Sequence, residues 1–145
     1  MRYLHTMIRV SDLEESLNFF KLLDIHEVSR KENEQARFTL VFLSAKEDEK
    51  LTENTKPPLI ELTFNWDEKV YDGGRNFGHL AFEVDDIYAV CKRLLHNKII
   101  INRPPRDGRM AFVQSPDQIS IELLQKGKPL PVISPWKEMT NQGTW

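Results

Sequence analysis

An internal duplication constrains the fold of this chain more than any other feature of its sequence. Two segments repeat each other at a constant offset, and the tripeptide Ile-Glu-Leu at 60–62 recurs at 121–123. Such self-similarity indicates two copies of one structural module, usually packed about a pseudo-two-fold axis, so that equivalent residues have equivalent surroundings. The pairs that lie 74 residues apart are His5 and His79, Val10 and Val84, Leu13 and Ile87, Leu17 and Cys91, and Phe20 and Leu94.

Both copies carry the same succession of secondary-structure signals. Ser11 and Glu14 form a capping-box pattern ahead of the apolar stripe of a first helix, and Asp85 and Asp86 precede the stripe of a second. The predicted fold class is α+β, with two tandem βαβββ modules whose strands form curved mixed sheets. The predicted elements are, in copy one, a strand over 2–10, a helix over 12–23 and strands over 25–30, 36–44 and 58–65 and, in copy two, a strand beginning at His79, a helix after Asp86 and strands near 98–102, 109–114 and 118–125.

The two modules account for most of the chain. They predict a single domain over 1–125, made of modules at about 1–66 and 77–125, because 145 residues support one core. A charged, proline-ended stretch over 46–58 predicts an exposed loop in the first module. Residues 126–145 fit neither copy, and their prolines and tryptophans predict an ordered tail that lies across a surface or contacts a partner.

Composition excludes several classes of function. With 20 basic and 22 acidic residues and a formal charge of -2, the chain has no electrostatic footprint for nucleic acid. No apolar run approaches the roughly 18 residues of a membrane span, and no signal peptide is visible, so neither membrane insertion nor export is predicted. The single cysteine, Cys91, allows no internal disulfide. These features predict a cytoplasmic protein.

Four polar residues fall on matching faces of strands in the two copies. Side chains alternate sides along a strand, so Glu61 points away from Ile60 and Leu62, and His5 shares its face with Arg9. If each helix covers the apolar side of its sheet, the other side carries two imidazoles and two carboxylates. These four residues are His5, Glu61, His79 and Glu122.

Two histidines and two glutamates make a ligand set for an octahedral metal ion. Four nitrogen and oxygen ligands leave two positions open for water or substrate oxygens, which suits Ni, Co, Fe, Mn or a six-coordinate Zn. A lone histidine in a strand is more often a packed residue, and a charge between two apolar residues is the ordinary pattern of a half-exposed strand. The duplication favours the metal site, because coincidence would not repeat both residues at equivalent positions.

Several stretches of the chain match one known family. The most specific is Glu-Leu-Thr-Phe-Asn-Trp at 61–66, and the others lie at 5–13, 77–82, 111–117 and 121–123. In this order, over residues 1 to about 125, the chain resembles glyoxalase I (lactoylglutathione lyase), of the vicinal oxygen chelate superfamily. Most relatives in that superfamily share the fold without the 61–66 string.

The resemblance implies a metal-dependent isomerisation that detoxifies methylglyoxal. In that family the hemithioacetal of glutathione and methylglyoxal becomes S-lactoylglutathione by proton transfer through an enediolate. The resemblance also implies a homodimer with metal sites at the interface, each built from His5 and Glu61 of one chain and His79 and Glu122 of the other. The compact chain resembles the family's short bacterial forms, which favour Ni or Co, whereas longer forms use Zn.

The resemblance assigns further roles to individual residues. Glu122 is the predicted catalytic base, with Glu61 as its near-symmetric rival, because a carboxylate at the metal can take a proton and return it to the neighbouring carbon. Arg9 and Asn65 match positions that hold the γ-glutamyl end of glutathione. The basic residue of the family's substrate loop corresponds to Arg109 or to Arg75.

Two alternatives stay open at this stage. The chain could be another vicinal oxygen chelate metalloenzyme, such as a thiol transferase, an epimerase or an extradiol dioxygenase, or a metal-free binding protein on the same fold. An oxygen-activating Fe(II) site usually has two histidines and one carboxylate, so a second glutamate argues against a dioxygenase. A binding protein would have no reason to keep all four residues.

Overall fold

A computed structural model describes residues 2–50, 55–74 and 76–145 and comprises two units, Met1–Asp72 and Gly73–Trp145. Each unit runs through one βαβββ succession, so the fold class predicted from the sequence is confirmed. The first unit contains β1 (His5–Arg9), α1 (Leu13–Lys21), β2 (Ile25–Asn33), β3 (Phe38–Ala45), the short helix α2 (Lys46–Glu49) and β4 (Leu59–Asn65). The second contains β5 (His79–Val84), α3 (Ile87–His96), β6 (Ile101–Arg103), β7 (Met110–Gln114) and β8 (Ser120–Gln125).

The two sheets have the same topology. The strand order is β1-β4-β3-β2 in the first unit and β5-β8-β7-β6 in the second. In each sheet the first strand of the module pairs in parallel with the last, and the other pairs are antiparallel. Each candidate histidine strand therefore lies directly beside its glutamate strand.

An aspartate caps the N-terminus of each long helix. The backbone N–H of Glu15 donates to Asp12 Oδ1 at 2.9 Å, and that of Ala89 donates to Asp86 Oδ1 at 3.0 Å. The N-cap of α1 is thus one residue later than the Ser11 of the predicted capping box, which was wrong in this detail. A carboxylate satisfies the free N–H groups and also interacts favourably with the positive end of the helix dipole.

The stretch 46–58 differs in part from its prediction as an exposed loop. It begins with α2, whose four residues are Lys-Glu-Asp-Glu, and Lys50 Nζ lies 2.8 Å from Glu47 Oε1. Lysine and glutamate are good helix formers and stabilise a helical turn when three residues apart. Residues 51–54 lie outside the described part of the chain.

The core of each unit lies between its sheet and its helix. Both helices are amphipathic, and no helix among the described residues is long and apolar enough to cross a bilayer. Burial of Cys91 on the inner face of α3 raises the pKa of its thiol to about 12, so it behaves as an apolar core residue. Fully buried side chains include Phe20, Val41, Leu43 and Leu62 in the first unit and Ile87, Leu94, Ile121 and Leu123 in the second.

The segment 126–145 packs against the rest of the second unit. Trp136 is buried and stacks on Tyr88 of α3, with ring centroids 5.8 Å apart, and the Tyr88 hydroxyl donates to the carbonyl of Pro131 at 2.8 Å. The backbone N–H of Leu130 donates to the carbonyl of Gly108 at 3.0 Å. The segment is therefore tied to the unit at several points along its length.

The contact at Gly108 gives a prediction about stability. A Cβ atom there would lie 2.1 Å from the carbonyl oxygen of Leu130, and φ is +65°. We expect Gly108→Ala to lower the free energy of unfolding by about 3 kcal/mol, through overpacking and backbone strain together. Gly127 has a φ of +70° but open space around it, so Gly127→Ala should cost only about 1 kcal/mol. Equal urea midpoints for the two variants would contradict this.

Candidate metal centre

Each unit presents one histidine–glutamate pair on the face of its sheet that the helix does not cover. The distance from His5 Nε2 to Glu61 Oε2 is 3.2 Å, and that from His79 Nε2 to Glu122 Oε2 is also 3.2 Å. The histidine side chains are 40% and 43% exposed, and the glutamates 13% and 15%. The duplication seen in the sequence thus reproduces both the spacing and the exposure of the pair.

Strand pairing explains why these side chains meet. Glu61 is the partner of Met7 across β1 and β4, and His5 lies two residues before Met7 on the same face of β1. Glu122 has Ala81 as its partner across β5 and β8, which places it next to His79 in the same way. The residues on either side of each glutamate are buried in the core, so both carboxylates are directed to the opposite face.

An aromatic ring supports each histidine, and sequence reasoning missed both rings. Phe42 of β3 is the cross-strand partner of Glu61, and Phe112 of β7 is the partner of Glu122. Phe42 lies edge-on to the His5 ring at 6.0 Å between centroids, and Phe112 lies edge-on to the ring of His79 at 5.5 Å. Such a contact fixes the plane of an imidazole from one side. The signal available in the sequence was a phenylalanine in the third strand of both copies.

The two pairs fit a divalent metal. Ligands about 2.1 Å from a metal and at right angles to each other lie about 3.0 Å apart, close to the observed separation in both pairs. Within either unit, no third histidine, cysteine, aspartate or glutamate of the described residues joins the pair. Among the described residues, each unit therefore offers one pair of candidate ligands.

Two of the predicted substrate-binding residues lie at the ends of strands in the first unit. Arg9 ends β1 on the face of His5, is exposed, and makes no ion pair with any residue that the structure describes. Asn65 ends β4, and its Nδ2 donates to Glu68 Oε2 at 3.2 Å and to the hydroxyl of Tyr71 at 3.1 Å. A surface salt bridge would account for Arg9 without any ligand, but Arg9 forms none with the described residues.

The other two predicted substrate contacts are Arg109 and Arg75. The guanidinium of Arg109 donates to the carbonyl of Gly127 at 2.6 Å and to that of Gln125 at 3.4 Å. In this position Arg109 joins the end of β8 to the segment that follows it. Arg75 lies outside the described residues.

A βαβββ module used twice, with four-stranded mixed sheets, is the fold of the vicinal oxygen chelate proteins. The chain belongs to the Glyoxalase/Bleomycin resistance protein/Dioxygenase superfamily, whose sequence model matches residues 2–123. The segment 126–145 lies beyond that match.

Within that superfamily, the chain is similar to several glyoxalase I enzymes. Over 132 residues the chain is 41% identical to the lactoylglutathione lyase of Neisseria meningitidis serogroup A, covering 87% of this chain and 91% of that protein. It is 37% identical to the lactoylglutathione lyase of Haemophilus influenzae, covering 86% and 93%. Among solved structures, the trypanothione-dependent glyoxalase I of Leishmania major superposes with a TM-score of 0.77 at 31% identity, covering 87% of each chain. The resemblance identified from the sequence is confirmed.

Proposed function

We propose that this chain catalyses the isomerisation of the hemithioacetal of glutathione and methylglyoxal to S-lactoylglutathione. The observation that carries the proposal is the repeated histidine–glutamate pair, with the same 3.2 Å separation in both units. The pairs occur in a chain whose relatives are named for this activity. The reaction moves a proton from C1 of the hemithioacetal to C2 through an enediolate, and so removes a toxic aldehyde.

We assign the metal to His5, Glu61, His79 and Glu122. Glyoxalase I enzymes are metal-dependent, and the nitrogen and oxygen donors of this set suit several divalent ions. Among these, the resemblance to the family's short bacterial forms favours Ni or Co, with Zn possible. When bound, the ion acts as a Lewis acid that stabilises negative charge on the substrate oxygens. The residues of the chain then have to hold the substrate and move its proton.

Glu122 is the better candidate for the base. The hydroxyl of Thr63 donates to Glu61 Oε1 at 3.4 Å, so that oxygen already has a hydrogen-bond partner. The equivalent of Thr63 in the second copy, 61 residues on, is Leu124, which has no hydrogen-bond donor in its side chain. Within the described residues, Glu122 therefore keeps an oxygen available to take the C1 proton and return it to C2.

Arg9 and Asn65 are proposed to hold the glutathione part of the substrate. The guanidinium of Arg9, which makes no ion pair with a described residue, offers a charge-assisted bond to a carboxylate such as that of the γ-glutamyl group. Asn65 keeps its amide oxygen as an acceptor for the glutathione amine, while Glu68 and Tyr71 fix the orientation of the amide. Arg109 and Arg75 are proposed as further substrate contacts on the resemblance alone.

The enzyme is proposed to act as a homodimer in the cytoplasm. Within the described residues each unit supplies two of the proposed ligands, and a two-fold dimer can join the first pair of one chain to the second pair of its partner. The cytoplasm is the compartment that keeps glutathione reduced, and the single buried cysteine is compatible with a reducing environment.

Activity with preformed hemithioacetal tests the proposal. Protein stripped with a chelator and reloaded with Ni, Co or Zn is mixed with the glutathione–methylglyoxal adduct, and thioester absorbance is followed. We expect no turnover without metal and restored turnover with at least one ion, because the reaction needs a Lewis acid. A parallel assay with the trypanothione–methylglyoxal adduct shows which of the two thiols, glutathione or trypanothione, the enzyme uses. Failure of all three ions with both adducts would refute the proposed function.

A further inference from the structure

The segment 126–145 places the side chain of Trp145 on the face of the second sheet that carries His79 and Glu122. Trp145 stacks on Phe112 with ring centroids 5.8 Å apart and an angle of 29° between the planes. Phe112 in turn lies edge-on to His79 and is the cross-strand partner of Glu122. Because Phe112, His79 and Glu122 share one face of the sheet, the indole that covers Phe112 lies on that face as well.

A defined path of the backbone delivers this indole. The N–H of Gln142 donates to the carbonyl of Asn102 at 2.8 Å, and the Asn102 amide donates back to the carbonyl of Gln142 at 3.0 Å. This pairing covers the open edge of β6, which is the outer strand of its sheet. Gly143 follows with a φ of +65°, a conformation that favours glycine and turns the chain from the edge towards Phe112.

A second anchor holds the same stretch. The guanidinium of Arg106 donates to the carbonyl of Met139 at 3.0 Å and to Asn141 Oδ1 at 2.8 Å. The residues just before Gly143 are thus fixed from the loop between β6 and β7. With the backbone held as far as Gln142, fewer conformations are open to the indole three residues on, which reduces the entropy it loses when it contacts a ligand.

The first unit shows what the site looks like without this addition. Phe42 occupies the same place beside His5 and Glu61 as Phe112 does beside His79 and Glu122. In the described residues, the only ring against Phe42 is that of His5, whereas Phe112 also carries Trp145. The side chain of Trp145 is not needed for the histidine–glutamate geometry, since the first unit reaches the same 3.2 Å without an equivalent residue.

Trp145 keeps a free surface. The residue is 40% exposed, while the Phe112 beneath it is only 8% exposed. An exposed indole stacked on Phe112, the ring that contacts His79, offers a flat apolar surface to a ligand bound at this face. Trp145 lies outside the part of the chain that the family model covers.

We propose that Trp145 contacts the substituent that the aldehyde contributes to the hemithioacetal and gives the site a preference for aromatic 2-oxoaldehydes over methylglyoxal. The inference rests on the proposed function, because the hemithioacetal must lie at His79 and Glu122. Stacking of a phenyl ring on the indole would strengthen binding, whereas a methyl group is too small to gain much from it. Trp145 is a specificity residue in this scheme and takes no part in proton transfer.

Binding of two unreactive thioethers tests the inference without relying on turnover. Calorimetry measures the Kd of S-benzylglutathione and of S-methylglutathione for metal-loaded wild type, Trp145→Ala and Trp145→Phe. We expect Trp145→Ala to weaken binding of the benzyl compound about tenfold and that of the methyl compound less than about twofold, and Trp145→Phe to keep most of the wild-type preference. Ile133→Ala, an exposed change in the same segment, should leave the ratio of the two Kd values unchanged.

The outcomes separate the inference from the proposed function. If wild type binds neither thioether and turns over no hemithioacetal, the proposed function fails. If wild type binds both thioethers, the assigned specificity role is refuted when Trp145→Ala raises the two Kd values equally. It is also refuted when Trp145→Ala changes neither Kd value. A parallel measurement of kcat/KM with the phenylglyoxal and methylglyoxal adducts should show the same selective loss, confined to the phenylglyoxal adduct.

Discussion

Replacing Glu122 with glutamine is expected to lower kcat for the glutathione–methylglyoxal adduct about 1,000-fold, because a general base contributes 10²- to 10⁴-fold to a proton transfer. Glutamine has the same shape and keeps an oxygen at the position 3.2 Å from His79 Nε2, but it cannot accept the C1 proton. Most of the metal should therefore remain bound. Metal content by elemental analysis and stopped-flow kinetics on the same sample check both halves of the expectation.

Glu61→Gln is the matched control, since it changes the equivalent side chain of the other unit. Glu61 has nearly the same exposure as Glu122 and the same distance to its histidine, and it differs in accepting a hydrogen bond from Thr63. If Glu122 is the base, Glu61→Gln should lower kcat much less at equal metal occupancy. Full activity in Glu122→Gln, or a larger loss in Glu61→Gln, would show that the base has been assigned to the wrong residue.

The sequence was sufficient to predict the fold because the duplication repeats its signals. Constant offsets aligned a histidine strand, a capped helix and a glutamate strand in both copies, and strand alternation then placed His5 and Glu61 on one face. Pairing of β1 with β4 and of β5 with β8 follows from the module itself. The structure was needed to decide between adjacent residues that suit the same role. Asp12 and not Ser11 caps the first helix, for example, although either side chain can accept a backbone hydrogen bond there.

Features that depend on long-range contacts were beyond the sequence. Arg109 and Arg9 are both arginines in candidate positions, yet only the structure shows that Arg109 is bonded to two backbone carbonyls. Trp145 carries no periodic signal, because its position follows from an edge pairing and a glycine turn in a segment without a repeat. A side chain placed in this way can be located only once the path of the backbone is known.

Mixing two inactive variants is expected to restore activity if each metal site is shared between two chains. His5→Ala and His79→Ala each remove one proposed ligand, so each variant alone should bind metal poorly. The two changes are equivalent, because each histidine lies 3.2 Å from the glutamate of its own pair. In a heterodimer of the two variants, one site lacks both histidines and the other has all four ligands. Random subunit exchange makes half of the dimers mixed, so a 1:1 mixture should regain about a quarter of wild-type activity.

The control for this experiment pairs two variants from the same unit. In a heterodimer of His5→Ala and Glu61→Ala, each site lacks one ligand, so no intact site can form and no activity should return. Metal sites built within single chains would instead give no recovery in either mixture, since every chain carries a lesion. Recovery confined to the His5→Ala and His79→Ala mixture therefore requires that the first pair of one chain and the second pair of another hold the same ion, which neither a general stabilising effect of mixing nor a site within one chain would produce.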